Sequence, residues 1–216
     1  MKQRPISAGL LFAVCLLLTP SQGEAEVLRQ AADKVELLNG ELSLPVSLAC
    51  PQFSFNTAVV GGTQLPSQTT GNLLAGEELL AQYAPIPLSD AATLEVKLHL
   101  AWNAQEGVLR KWAEYRVNPA PEGCVLHEIK FDQLAPVAGQ AIGFIPAPPQ
   151  SLPGFFKGFF AGVEFPVACT RMEGSDLVLA QRPGRLLQGD SGWLVSRKVL
   201  YGAAPVGRER EVFGAL

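Results

Sequence analysis

Leu94, Val96, Leu98, Leu100 and Trp102 alternate with Glu95, Lys97, His99 and Ala101 along the stretch from Thr93 to Trp102. An apolar period of two puts the first set on one face of a β-strand and the second on the other. Asn103 to Gly107 then form a polar turn, and Val108 to Val117 follow as a second segment. A long amphipathic hairpin of this kind predicts an extended antiparallel sheet with one wet face. The second segment has two solutions. Val108, Leu109, Trp112 and Tyr115 also fit helical spacing, and its Leu, Arg, Lys, Ala and Glu residues are good helix formers. Periodicity alone leaves that half open.

The rest of the chain is mostly short strands and turns. Val27, Leu28, Ala31, Val35 and Leu38 roughly share one face of a helix over Glu26 to Leu38, yet KVELLNGELSLPVSLA from Lys34 fits equally well as two strands around Asn39-Gly40. Pro45 asks for an edge position there. Phe53 to Val60 predicts a strand, Gln64 to Gly71 a loop, and Asn72 to Tyr83 a short helix capped by Asn72. Val125, His127, Ile129 and Phe131 line one side of a strand over Cys124 to Phe131. PAPPQSLP (Pro146 to Pro153) cannot join a ladder. Phe155 to Thr170 is an aromatic block that must be largely buried. Leu177 to Gln181 and Trp193 to Ala203 are further strands. About nine strands with turns at short intervals predict an all-β fold, a two-sheet antiparallel β-sandwich with a few short helices.

Composition agrees. Only 17% of residues are charged, with 21 Gly and 17 Pro, as in a turn-rich β protein. Lys2 and Arg4, the apolar run Gly9 to Leu18 and small residues at cleavage spacing, either Ser21-Gln22-Gly23 or Gly23-Glu24-Ala25, have the layout of a cleaved signal peptide over 1–25. The run is too short for a membrane anchor, which needs roughly 20 apolar residues. Val14 stands where a lipobox before Cys15 wants a small residue. Loss of Lys2, Arg4 and Glu24 from the 17 basic and 20 acidic residues leaves a net charge of −4. That gives no footprint for nucleic acid or anionic lipid. An export route makes one disulfide plausible among Cys50, Cys124 and Cys169; three buried free thiols are the alternative. The expected location is secreted or periplasmic, and the absence of any Asn-x-Ser/Thr sequon fits a bacterial source.

The blocks LEVKLHLAWNAQEGVLRKWAEYRV, GFFAGVEFP and VLYGAAPVGREREVFGAL occur in that order. They resemble the N-terminal galactose-mutarotase-like β-supersandwich of large secreted bacterial proteins related to glycoside hydrolases. The resemblance spans roughly Val35 to Leu216. It implies that Val108 to Val117 is a strand and that the domain, 26–206, is carbohydrate-associated. In such proteins a segment like Gly207 to Phe213 leads into a catalytic barrel. Residues 207–216 are then a tail or the start of a linker, and any barrel is encoded separately or the gene is split. No glycosidase activity is expected of the chain itself.

Catalytic motifs are weak. Gly189-Asp190-Ser191-Gly192 imitates the nucleophile loop of trypsin-like proteases, but neither His99 nor His127 has the matching context, and Trp193 stands where the motif has Gly. A polar β-turn explains it. His127-Glu128 lacks the second His of a zinc site, because the fifth residue is Phe131. No cofactor or metal site is expected, and His99 should be solvent-exposed. Glycoside hydrolysis typically needs two opposed carboxyls. Glu164, in the aromatic block, is the most interesting acid, with Arg171 as candidate ion-pair partner; the sequence alone pairs no second acid with it. Trp102, Trp112 and Trp193 are candidate sugar platforms, although core packing is the commoner fate of Trp on a strand. The readings left open are a non-catalytic carbohydrate-associated domain that binds glycan or supports a glycosidase, a structural or protein-interaction sandwich of the cell envelope, and a glycoside hydrolase fragment.

Overall fold

The computed structural model describes residues 27–135, 143–144, 153–164, 168–187 and 192–215. The signal segment, nearly all of PAPPQSLP, residues 165–167 of the aromatic block and Gly189 to Ser191 lie outside them.

The hairpin dominates. Thr93–Asn103 and Val108–Asn118 pair along their whole length, from Thr93 opposite Asn118 to Asn103 opposite Val108. The second segment is therefore strand. Its helical spacing goes unused because alternation buries Leu109, Ala113, Tyr115 and Val117 on one face. The Asn103 side-chain oxygen accepts hydrogen bonds from the Gln105 and Glu106 amides at 3.0 and 3.2 Å, which stabilises the turn.

The described residues form three antiparallel sheets. The hairpin lies in a ten-stranded sheet with Leu79–Gln82 on one side and Val199–Ala203, Phe159–Val163 and Gly154–Phe156 on the other. A six-stranded sheet is centred on Val125–Leu134, between Gln52–Phe55 and Asp176–Gln181. Leu28–Gln30, Lys34–Asn39 and Leu42–Ser47 form the third. One apolar core joins all three, with Leu37 and Val46, Leu98 and Tyr115, and Phe53 and Ile129 among its members. Phe53 and Tyr115 meet across the layers with ring centroids 5.4 Å apart. The fold is thus an all-β sandwich, as the sequence predicts.

Several local expectations change. Lys34–Asn39 and Leu42–Ser47 take the two-strand solution around Asn39-Gly40, and Pro45 sits on an edge strand opposite Glu36. Asn72 does cap, accepting from the Leu74 amide at 3.0 Å, but only a single 3-10 turn follows (Leu73–Ala75). Gly76 ends that turn with φ +76°, and Leu79–Gln82 pairs with the hairpin instead. Phe53 to Val60 is a tight pair of strands, Gln52–Phe55 and Val59–Val60, and the predicted loop contains the strand Gln68–Thr70. His127 is exposed and does not share a face with Ile129 and Phe131, because the register shifts between Leu126 and Glu128. A bulge of this kind re-aims the side chains beyond it.

Cys50, Cys124 and Cys169 are free and buried. Burial pushes the Cys50 thiol up to about 12, against the lowering effect of the Lys111 charge. Gly202 lies opposite Phe160, and a Cβ there would stand 1.9 Å from the ring. The helix Glu209–Gly214 closes over that ring, with Phe213 edge-on to Phe155 and Phe160 at 5.9 and 5.5 Å. Among the described residues no helix is long and apolar enough to cross a membrane.

Candidate functional site

The outer face of the hairpin is where aromatic and polar side chains collect. Cross-strand register sets His99 opposite Trp112, Lys97 opposite Glu114, and Glu95 opposite Arg116. Such opposed pairs sit close enough to interact directly. His99 stacks on Trp112 with ring centroids 5.1 Å apart and planes 11° off parallel. Its Nδ1 lies 2.5 Å from the Glu78 carboxylate. A carboxylate only accepts, so Nδ1 carries the proton. The other ring nitrogen, Nε2, is buried without a hydrogen-bond partner among the described residues and lies 3.7 Å from Glu114. His99 is thus only 9% exposed, not the solvent-exposed residue its polar face predicts, because Trp112 and Glu78 cover it.

A bulge brings further groups over this face. Val199 pairs with Lys111, and Val195 with Glu114, so Ser196, Arg197 and Lys198 oppose only Trp112 and Ala113. The extra residue breaks the Trp193 to Ala203 segment into Leu194–Val195 and Val199–Ala203. Ser196 seals the gap, its hydroxyl accepting from the Ala113 amide at 2.8 Å. Lys198 lies 5.0 Å from the Trp112 ring centre. Trp193 takes Lys97 at 4.2 Å and Arg116 at 4.8 Å on its ring. Cation–π contacts of this kind hold indoles against the sheet.

The five residues singled out from sequence do not converge. Trp102 faces inward and packs on the core. Trp112 and Trp193 are half-buried on the outside, contrary to the core burial that is the commoner fate. Glu164 stands at the margin of the same face, 3.9 Å from Arg110. Arg171 does not pair with it. The chain leaves the ten-stranded sheet after Val163 and rejoins the six-stranded sheet at Ala168, so one block of sequence serves two layers. Arg171 instead grips Glu128 at 2.9 and 3.0 Å. Burial works against charge on Glu128, but hydrogen bonds from Arg171 and Arg182 outweigh it and hold the carboxyl below its ordinary range. His99, Glu78, Glu114, Lys97 and Lys198 complete the outer face. The alternation of the hairpin already put His99 and Lys97 there; Glu78 and Lys198 needed the tertiary fold.

On the inner face a different cluster forms. Lys111 is fully buried, and its Nζ donates to the Asp132 carboxylate at 2.7 Å and to the Ser47 carbonyl at 2.8 Å. The Tyr201 hydroxyl donates to the same carboxylate oxygen. Burial, then Asp132, raises the Tyr201 phenol well above its ordinary value, so it stays protonated. Lys111 belongs to the ten-stranded sheet, Asp132 to the six-stranded and Ser47 to the three-stranded, so this cluster ties all three.

No protein-family model matches the chain, and no curated protein matches it.

Proposed function

We propose that this protein is a secreted or periplasmic, non-catalytic, carbohydrate-associated domain that binds glycan on the outer face of its long hairpin, alone or in support of a glycosidase. The observation that carries the reading is the pair of half-buried indoles, Trp112 and Trp193, on one sheet face with Lys97, Glu114 and Arg116 between them. Sugars offer apolar C–H faces to rings and hydroxyls to charged groups; this face carries both kinds of group, and a sugar that stacks on the indoles displaces the Lys97, Arg116 or Lys198 side chain that lies over them. The resemblance to glycosidase-associated supersandwiches supports the same reading. Hydrolysis has no comparable support, since Glu164 and Glu106 share Arg110 as a cation and, among the described residues, no ion-pair or hydrogen-bond geometry sets a second acid directly against Glu164.

Glycan-array screening followed by titration calorimetry tests it. Binding should fall about tenfold with Trp112→Ala and again with Trp193→Ala, each worth about one aromatic contact. Glycan binding that survives the double variant would move the site elsewhere. Complete absence of glycan binding would favour the envelope interaction domain.

A further inference from the structure

We propose that Lys111 and Asp132 react with each other to form an intramolecular amide, a covalent staple between the two large sheets. The reacting groups are already in place. Nζ lies 2.7 Å from Asp132 Oδ2, and both side chains are almost wholly withdrawn from water, at 0% and 2% exposure. With a C–O bond of about 1.2 Å, the carboxyl carbon is within roughly 3.9 Å of Nζ. Rotation about the soft terminal torsion of Asp turns Oδ2 aside, and the flexible Lys111 stem can then close the remaining distance to the attack geometry of about 3–3.5 Å. Strand pairing on both sides holds the partners there, since Lys111 sits between Leu100 and Val199, and Asp132 beside Leu179. Fixed proximity of this kind is equivalent to effective concentrations of about 10⁵–10⁸ M.

The surroundings favour the chemistry. In a dry interior both charged forms are costly, so passing a proton from ammonium to carboxylate yields a neutral amine and a neutral acid. The amine lone pair attacks the carboxyl carbon, and the Cγ–Nζ bond forms. One Cγ–O bond breaks, and that oxygen leaves as water with two hydrogens from the original ammonium; the third stays on the amide nitrogen. No oxidant or activating reagent is needed. Tyr201, hydrogen-bonded to Oδ2, is placed to hand its proton to that oxygen as it departs and to regain one from the attacking nitrogen, so the ammonium remains the net source of both water hydrogens. Asp132 also lines two clefts of about 390 and 480 Å³, which gives the released water an exit. The product replaces a buried ion pair with a neutral amide.

Mass spectrometry decides it. After prolonged incubation of the folded chain, the denatured protein should be lighter than its sequence by one water. A tryptic digest should contain a branched peptide joining Lys111 to Asp132 and no cleavage after Lys111. Lys111→Arg and Asp132→Ala should restore the full mass. Tyr201→Phe, which removes only the hydroxyl, should slow the loss and leave a mixed population at early times; closure as fast as in the parent would overturn the role given to Tyr201. If either restoring variant fails to fold, the parent digest is sufficient alone. Ordinary linear peptides with cleavage after Lys111, or a lost water located at another pair, overturns the proposal.

Discussion

Lys111 and Trp112 are neighbours in sequence and opposites in surroundings. The lysine points between the sheets, where every donor must find an acceptor, and it reaches Asp132 and Ser47. The tryptophan points outward, half-buried under Lys198 and against His99. Residue preferences alone would exchange them, putting the indole inside and the ammonium outside. The inner face spends a charge on joining three sheets, and the outer face carries two half-buried indoles held under Lys97, Arg116 and Lys198.

The sharpest way to break this contrast is to remove the inner charge. Against parent protein of full mass, in which the Lys111–Asp132 amide has not closed, Lys111→Met should cost about 3–5 kcal/mol, because Asp132 is left buried without its cation. Urea denaturation measures the loss. Adding Asp132→Leu to Lys111→Met should recover most of it, since an apolar pair in a dry site is often as stable as the ion pair it replaces. A single variant that unfolds at the parent midpoint would refute the inner-face account.

Lys111 also shows where the sequence stops being legible. The alternation of Leu109, Ala113, Tyr115 and Val117 puts Lys111 among core positions once the segment is known to be a strand. Periodicity could not make that choice, so the buried lysine stayed hidden inside the helix–strand ambiguity. The first strand carried no such ambiguity, and its inner and outer sets fall as its alternation requires. Asn72 was legible as a cap, while the extent of the turn it caps was decided by pairing with the hairpin. Glu164 and Arg171 failed for a reason no local pattern contains: although only seven positions apart, one follows a strand of the ten-stranded sheet and the other lies in the six-stranded sheet. His127 failed because a one-residue bulge reverses a strand's faces without leaving a mark in composition.

A smaller effect separates the six-stranded sheet from both faces of the hairpin. The Glu128 carboxyl is held below its ordinary value of 4.5 in the folded protein, with Arg171 and Arg182 outweighing burial. Its contribution is therefore present above that value and lost as pH falls below it. Glu128→Gln should cost about 1.5 kcal/mol at neutral pH, typical of hydrogen bonds to a charged group. The difference from the parent should shrink as pH drops below 4.5. A difference that stays constant across that window would assign the effect to packing and not to charge.

The smallest effect is expected on the same strand as Lys111, at Arg116. Its guanidinium holds Glu95 through two bonds of 3.0 and 2.9 Å, a geometry as good as that of the buried pair. Both side chains keep about a third of their surface in water, at 33% and 27% exposure. Water and salt therefore screen what the interior would amplify. A double-mutant cycle of Arg116→Ala and Glu95→Ala should show a small coupling at low ionic strength that disappears in 1 M salt, where the screening length is about 3 Å. The Lys111–Asp132 cycle, measured on protein of full mass before any amide has closed, should keep its coupling under the same conditions. If the Arg116 coupling also survives high salt, then Trp193 is excluding water from the pair, and the outer face is drier than an open glycan platform should be.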